Sequence, residues 1–160
     1  MTETEFTGRV MPLSRKLYHV AYSILWNDAD CADAVQEALA KAWVSKDKLM
    51  NYESFEAWIV RLLINTAISQ LRRRKRFRLV PLEDGLEASE EITPEDIDLR
   101  NALMKLKGKY RILLVLHYQN GYSLEEISEI MGISERLVKS RMHQARQELK
   151  KLLGGDDYEA

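Results

Sequence analysis

The sequence predicts an all-α protein made of two small helical domains that an acidic linker joins. Three observations lead to this prediction: apolar residues recur at three- and four-residue spacing, no segment alternates like a β-strand, and an acidic strip separates two basic parts. With 160 residues, 46% of them hydrophobic, the chain can bury cores of its own. We expect domains at residues 1–80 and 94–154, a linker at 81–93 and a disordered tail at 155–160.

The first domain is expected to contain three helices. The first follows Pro12, which suits an early helical position, and ends near Trp26. The second is capped within the polar turn Asn27–Asp30 and is acidic at its start. The third begins near Ser54, carries an apolar face and continues into Arg72–Arg78, where six of seven residues are basic.

Two helices are expected at the start of the second domain. Thr93 is predicted to cap the first of them, with Pro94 in its first turn, and this helix extends to about Leu106. The next helix carries apolar residues toward a turn at Asn120 and Gly121.

The segment GYSLEEISEIMGISERLVKSRMHQARQELKKLL is the most informative part of the chain. Ser123 and Glu126 have the spacing of a capping box, Gly132 ends the helix that they begin, and Ser134 can cap the next helix. Two short helices joined by a tight glycine-containing turn are typical of a DNA-binding helix-turn-helix. Its basic second helix would enter the major groove.

Helical geometry selects the residues of this second helix that face the groove. If Leu137, Val138 and Met142 pack inward, the polar residues of the N-terminal half point outward. The residues that suit base edges are Arg136, Lys139, Ser140, His143 and Gln144, whereas Arg141, Arg146 and Lys150 suit phosphates. The alternative is a charged helix that only faces solvent. The candidate DNA-binding residues are Arg136, Lys139, Ser140, Arg141, His143, Gln144 and Arg146.

The distribution of charge supports a polyanionic partner, although the formal net charge is only −1. Residues 1–80 have a balance of +4 and residues 100–160 one of +3, whereas residues 81–99 hold eight acidic residues and no basic one. Both domains can therefore face nucleic acid, while the acidic strip neutralises the average.

Several classes of protein are not expected. No stretch approaches the roughly 18 apolar residues of a membrane span, and the N-terminus lacks the apolar centre of a signal peptide, so we expect a cytoplasmic protein without membrane insertion. The single cysteine, Cys31, and three scattered histidines offer neither a disulfide framework nor a metal site. Because no phosphate-binding glycine loop, nucleophile elbow or HExxH pair occurs, we expect no enzyme, cofactor or small-molecule substrate.

Taken in order, these motifs resemble the extracytoplasmic-function (ECF) sigma factors, the small two-domain initiation factors of bacterial RNA polymerase. The resemblance covers roughly residues 10–153. It rests on LYHVAYSILWNDADCADAVQEALAKAW, on SFEAWIVRLLINTAISQLRRRKR and on the helix-turn-helix. It implies a three-helix sigma region 2 in residues 1–80, which binds core polymerase and the −10 element, and a sigma region 4 in residues 94–154, which binds the −35 element.

The resemblance also implies partners: the β′ clamp coiled coil and the β flap of core polymerase, promoter DNA, and an anti-sigma factor. It implies that the linker passes through the polymerase channel, where its charges could imitate RNA; a flexible acidic tether is the alternative. The protein would associate with the nucleoid when bound to polymerase. A stand-alone helix-turn-helix regulator is the alternative function, but it explains the second domain only.

An acidic helix face is the core-binding surface that the resemblance implies. Its members are Asp30, Asp33, Gln36 and Glu37. Asp33 and Glu37 share one helix face because they are four residues apart. The acids also favour a helix N-terminus, and we expect both roles to apply.

Binding and melting of the −10 element are implied for the third helix and for the loop before it. The implied residues are Lys48, Asn51, Tyr52, Arg61, Asn65, Arg72, Arg73, Arg74, Lys75 and Arg76. Asn65 stands where family members contact a flipped base, although a buried asparagine with a structural hydrogen bond is the alternative. The loop Lys48–Glu53 corresponds to the segment that selects the base, and the arginine cluster could hold the displaced strand.

Two positions depart from the family pattern. Trp26 stands where a glycine usually ends the first helix, so the geometry before the acidic turn could be altered locally. Glu135, Arg136 and Leu137 replace a proline and a glycine-threonine pair, which puts the backbone-phosphate contacts of that turn in question.

Overall fold

A computed structural model describes residues 1–51, 54–77 and 94–154, without side-chain detail at 50–51, 74–77 and 94–98. In these ranges the chain is helical and has no strand, which confirms the all-α prediction. None of the described helices is long and apolar enough to cross a membrane. The linker 81–93, the Thr93 cap, Tyr52 and the tail 155–160 lie outside the described residues.

The chain divides into two compact units. The first contains α1 (Glu3–Val10), a 3-10 turn (Met11–Leu13), α2 (Ser14–Leu25), α3 (Asp28–Val44), a second 3-10 turn (Lys46–Asn51) and α4 (Phe55–Phe77). The second unit contains α5 (Pro94–Lys105), α6 (Gly108–Leu114) with the π turn Val115–Gln119 that continues it, α7 (Leu124–Met131) and α8 (Glu135–Leu152). The last three residues of α7, Glu129–Met131, are grouped with the first unit.

The core of the first unit lies between α2, α3 and α4. Ala34, Ala38 and Ala42 are buried at four-residue spacing along α3, and their small side chains let the neighbouring helices approach closely. The larger core residues come from α2 and α4 and include Leu17, Val20, Ile24, Trp58, Ile59 and Leu63. The apolar pattern of the sequence therefore identified the packing faces of all three helices.

Helix α1 is absent from the expected set of three helices. The Thr2 hydroxyl caps it by accepting a hydrogen bond from the Glu5 backbone N–H at 3.1 Å. Only Phe6 and Val10 are buried in its eight residues, so the apolar stripe is too short to stand out as a periodic pattern. Packing against the rest of the unit, not local periodicity, reveals the helix.

The junction between α2 and α3 has an unusual backbone. Trp26 ends α2 with a φ of 52°, in the left-handed region that normally favours glycine. Asn27 follows as the N-cap of α3, and its side-chain oxygen accepts a hydrogen bond from the Asp30 N–H at 2.9 Å. A non-glycine residue in this conformation costs on the order of 1 kcal/mol. Trp26 therefore adopts a backbone conformation that glycine takes more readily than any other residue.

The helix-turn-helix has the local structure that the sequence predicts. The Ser123 hydroxyl accepts from the Glu126 N–H at 3.0 Å, and the Glu126 carboxylate accepts from the Ser123 N–H at 2.9 Å, which completes the capping box. Gly132 has a φ of 69° at the end of α7, and the Ser134 hydroxyl accepts from the Leu137 N–H at 3.1 Å. The capping box begins α7, whereas Gly132 ends α7 and Ser134 begins α8, so a tight turn of three residues joins the two helices.

One predicted core position in α8 is wrong. Val138 and Met142 are buried, but Leu137 is 37% exposed. Leu137 precedes Val138 by one residue, which is 100° of rotation on a helix, so it lies at the flank when Val138 faces the core. Leu137 therefore belongs to the accessible surface of α8.

Candidate nucleic-acid interface

The acidic face of α3 divides into an outer part and an inner part. Asp33 and Gln36 are exposed, whereas Asp30 and Glu37 are half-buried. The Glu37 carboxylate accepts a hydrogen bond from the Gln70 amide of α4 at 3.1 Å. Of the four residues expected to bind polymerase, Asp33 and Gln36 are therefore the most accessible.

Glu37 also lies within ion-pair distance of two cations. Its carboxylate oxygens are 3.7 Å from the Arg73 guanidinium of α4 and 3.8 Å from the Lys41 ammonium of α3. The side chains of both pairs remain accessible to solvent, so each pair contributes at most about 1 kcal/mol. The contacts nevertheless join the predicted polymerase-binding face to the basic end of α4 within one unit.

A polar depression lies beside this contact. Asp30, Asp33, Gln70 and Arg73 line it together with Leu25, and its volume is about 310 Å³. The depression brings acidic side chains of the predicted polymerase-binding set next to an arginine of the predicted −10 set. This proximity could not be predicted from the sequence, because Asp33 and Arg73 are 40 residues apart.

A side-chain hydrogen bond links the N-terminus of α3 to α2. The Tyr18 hydroxyl donates to the Asp28 carboxylate. This bond raises the pKa of Tyr18 to about 12, because a phenolate would lose the hydrogen bond and be repelled by the neighbouring carboxylate. The acidic turn is therefore oriented by a residue that the sequence analysis did not select.

We expect Tyr18 to ionise at higher pH than it does in the unfolded chain. Since its pKa in the folded protein exceeds the ordinary value of about 10, the hydrogen bond stabilises the fold fully below pH ~10, and its contribution is lost toward pH ~12. An ultraviolet titration that follows tyrosinate formation should show a late step near pH ~12 in the wild type, and this step should be absent in Tyr18→Phe. Asp28→Asn should move that step back toward pH ~10. An unchanged late step in both variants would contradict the assignment.

The outer face of α4 presents a polar stripe. Arg61, Asn65 and Arg72 recur at spacings of four and seven residues, which puts them on one side of the helix. Asn65 and Arg72 are exposed and Arg61 is half-buried, so the buried-asparagine alternative for Asn65 is wrong. Ser69 is also exposed on this side of α4, but it is not a member of the predicted −10 set.

The remaining members of the −10 set lie at the two ends of the stripe. Arg73 is turned toward α3, where it meets Glu37. Lys48 is exposed in the 3-10 turn before α4. Arg74, Lys75 and Arg76 continue α4, and Asn51 ends the 3-10 turn, but their side chains are outside the described set, as is Tyr52 as a whole.

The outer face of α8 presents a second polar surface. Arg136, Ser140, His143 and Gln147 are exposed and lie opposite the buried Val138 and Met142. Gln147 was missed, although the helical period that selects the other three also selects it. The rest of the predicted set comprises Lys139 and Gln144, which are exposed, and Arg141 and Arg146, which are half-buried.

Three residues of this set have partners inside the second unit. The Gln144 side-chain oxygen accepts from the Tyr110 hydroxyl at 3.1 Å, and the Lys139 ammonium is 3.9 Å from the Glu135 carboxylate. The Arg146 guanidinium donates to the Tyr118 hydroxyl at 2.7 Å. Arg146 is therefore oriented by the turn after α6, not by the groove-facing side of α8.

Comparison with known proteins matches both units. Residues 10–77 match the family described as Sigma-70 region 2, and residues 96–149 match Sigma-70, region 4. The RNA polymerase sigma factor SigV of Bacillus subtilis is 33% identical over 142 residues, which cover 88% of this chain and 86% of SigV. The ECF RNA polymerase sigma factor SigW of the same organism is 33% identical over 155 residues, with coverages of 86% and 83%.

Two solved structures have a similar fold. The sigma factor RpoE of Bartonella quintana, in complex with the anti-sigma factor NepR, has a TM-score of 0.67 and 30% identity. The similarity covers 95% of this chain and 98% of that one. CnrH, in complex with the cytosolic domain of CnrY, has a TM-score of 0.66 and 26% identity, with coverages of 95% and 89%.

Proposed function

The chain belongs to the sigma-70 family and, within it, to the ECF RNA polymerase sigma factors, and from that premise we propose which of its surfaces bind polymerase and which bind promoter DNA. It is an alternative sigma factor that directs promoter-specific transcription initiation. In the proposal, residues 1–80 bind core polymerase and the −10 element, residues 94–154 bind the −35 element, and residues 81–93 connect them. The stand-alone regulator is not favoured, because both sigma regions match.

The observation that carries the proposal is the pair of exposed polar surfaces on the first unit. One is the acidic face of α3, with Asp33 and Gln36 exposed; the other is the stripe of Arg61, Asn65 and Arg72 on α4. A regulator that binds duplex DNA through α8 alone has no use for either surface. A protein that must bind polymerase and an opened DNA strand at once needs both.

The first unit would bind core polymerase through Asp33 and Gln36, with the β′ clamp coiled coil as partner. Glu37 would act mainly by holding α3 against the basic end of α4, because its carboxylate contacts Gln70 and Arg73, and half-buried Asp30 would add a smaller part of the polymerase-binding face. The second unit would bind the −35 element through the exposed face of α8 and the β flap through another face. The protein would act in the cytoplasm, on the nucleoid when bound to polymerase.

An anti-sigma factor is the expected regulatory partner. One similar solved structure is a sigma factor in complex with an anti-sigma factor, and the other is CnrH in complex with the cytosolic domain of CnrY. Such a partner would have to cover the polymerase-binding or DNA-binding faces described above. Pull-down from the source cells, followed by inhibition of run-off transcription by the captured protein, would identify it.

Run-off transcription tests the proposed function. Bacterial core polymerase is incubated with a fragmented genomic library, alone and with this protein, and the new transcription start sites are mapped. Start sites that share two upstream elements would support the proposal. If the protein neither bound core nor directed new starts, yet bound duplex DNA alone, the regulator would take its place.

A single substitution tests the core-binding face. We expect Asp33→Asn to weaken binding to core polymerase about tenfold, because it removes one interfacial charge without changing the shape of the side chain. The matched control is Glu5→Gln, which removes one exposed charge from α1 in the same unit and should leave the affinity unchanged. Fluorescence titration of labelled protein with core would measure both. Equal affinities for the two variants would remove Asp33 from the interface.

A further inference from the structure

The connection between α3 and α4 is held at both ends by one aromatic ring. The Phe6 ring of α1 makes an edge contact with the Trp43 ring near the end of α3, with centroids 5.4 Å apart. It makes a second edge contact with Phe55, the first residue of α4, at 6.0 Å. Both distances lie in the range where aromatic pairs attract. Phe6 thus links two positions that are 12 residues apart in the chain.

Further contacts tie the same ends to each other and to the core. The Phe55 ring lies 5.8 Å from the buried Trp58 ring, which joins the cluster to the core of the unit. The Lys46 ammonium lies 4.0 Å from the centre of the Trp43 ring and donates a hydrogen bond to the Trp43 carbonyl. The connection therefore begins with Lys46, whose side chain contacts both the ring and the carbonyl of Trp43.

The position of α1 along the chain makes this arrangement informative. The match to Sigma-70 region 2 begins at residue 10, so Glu3–Val10 lies almost wholly outside it. Yet the buried Phe6 of α1 contacts the two residues that flank the connection. The helix thus lies almost wholly outside the matched region, and its buried ring packs against both ends of the connection.

We infer that α1 is a brace for the connection between α3 and α4 and that Phe6 is a positioning residue for base selection at the −10 element. The inference rests on the proposed function, in which this loop selects the base, and it concerns the described part of the loop, Lys46–Asn51. A recognition loop discriminates between bases only when its supporting residues hold its geometry. Phe6 supplies that support without touching DNA itself.

Two variants of Phe6 separate the brace from a simple loss of packing. Phe6→Ala removes the ring, and Phe6→Leu keeps an apolar side chain of similar reach but loses both edge contacts. The control is Leu17→Ala, which truncates a buried side chain of α2 in the same unit. All three variants are expected to unfold at lower temperature than the wild type, so thermal stability alone does not decide the question.

The first readout is base preference in run-off transcription with core polymerase, on templates that differ only in the −10 element. We expect both Phe6 variants to lose about three- to tenfold in discrimination between the preferred and the other bases, a part of what one mismatched pair usually carries. Leu17→Ala should keep the wild-type ranking of templates. A Phe6 variant that lowers the yield from every template by one common factor would overturn the inference.

The second readout needs no transcription. Amide hydrogen exchange in the free protein should be faster over Lys46–Asn51 in Phe6→Leu, by about threefold or more, and unchanged in α8. If the wild type directs no new starts but this acceleration is found, the proposed function fails and the brace remains. If new starts occur but exchange over Lys46–Asn51 is unchanged, the brace fails and the proposed function remains.

Discussion

Replacing Asn65 by alanine is expected to lower the rate of promoter opening roughly 10- to 100-fold, as the loss of one base contact worth about 1–3 kcal/mol would do. The side chain is exposed on α4, so its removal should leave the free energy of unfolding almost unchanged. Binding to core polymerase should also be unchanged, since Asn65 lies on α4 and the acidic face lies on α3. Permanganate footprinting of open complexes would measure the effect.

The matched control for Asn65→Ala is Ser69→Ala. Ser69 is exposed one turn later on the same stripe of α4, and it belongs to none of the residue sets expected to bind DNA. A template with a pre-opened bubble gives a second control, because it removes the need to melt the duplex. If Asn65→Ala and Ser69→Ala open promoters at the same rate, Asn65 has no part in promoter opening.

Replacing Arg136 and His143 together by alanine is expected to lower initiation at promoters with a −35 element about 100-fold, because each base contact carries about 1–3 kcal/mol. Both residues lie on the face of α8 opposite the buried Val138 and Met142. Their exposure means that the fold should not be weakened. Run-off yield on templates with intact and scrambled −35 elements would show whether the loss depends on that sequence.

Lys151→Ala supplies the control for this pair. Lys151 is exposed in the last turn of α8 and pairs with Glu148 at 3.6 Å, so its replacement also removes a positive charge from the helix. We expect a small loss that is the same on both templates. A loss of equal size on both templates for the Arg136 and His143 variant would assign these residues to phosphates or to structure, not to base recognition.

The helix-turn-helix could be predicted residue by residue because its determinants are local. The capping box of Ser123 and Glu126, the positive φ of Gly132 and the Ser134 cap all join residues at most three positions apart or depend on one residue alone. Such features leave a direct pattern in the sequence. The core-facing residues of α2, α3 and α4 could be predicted for a similar reason, since burial follows the helical period.

The partners of the candidate site residues could not be predicted in the same way. Glu37 was expected to face polymerase, but its carboxylate is held by Gln70 and Arg73 from another helix. Arg146 was expected to face phosphates, but its guanidinium bonds to the Tyr118 hydroxyl. A helical period tells which side of a helix a residue occupies, but not which neighbour the end of a long side chain will reach.

The burial of Arg111 is a further feature that could not be predicted from the sequence. Arg111 is 5% exposed in α6, and its guanidinium reaches the Met104 sulfur at 3.4 Å. Burial lowers the pKa of Arg111, since water no longer solvates the cation. Arginine is rarely buried, so nothing in the composition of GKYRILL marks it as an interior residue.

The sequence by itself determined the helical class, the two basic parts with an acidic strip between them, the caps of α7 and α8, and the order of motifs that identifies the family. Each of these depends on residues close together in the chain or on charge counted along it. Only the tertiary structure decided that α1 exists, that Phe6 links Trp43 to Phe55, and that Glu37 joins α3 to α4. These contacts join residues far apart in sequence, and their energy appears only when helices pack.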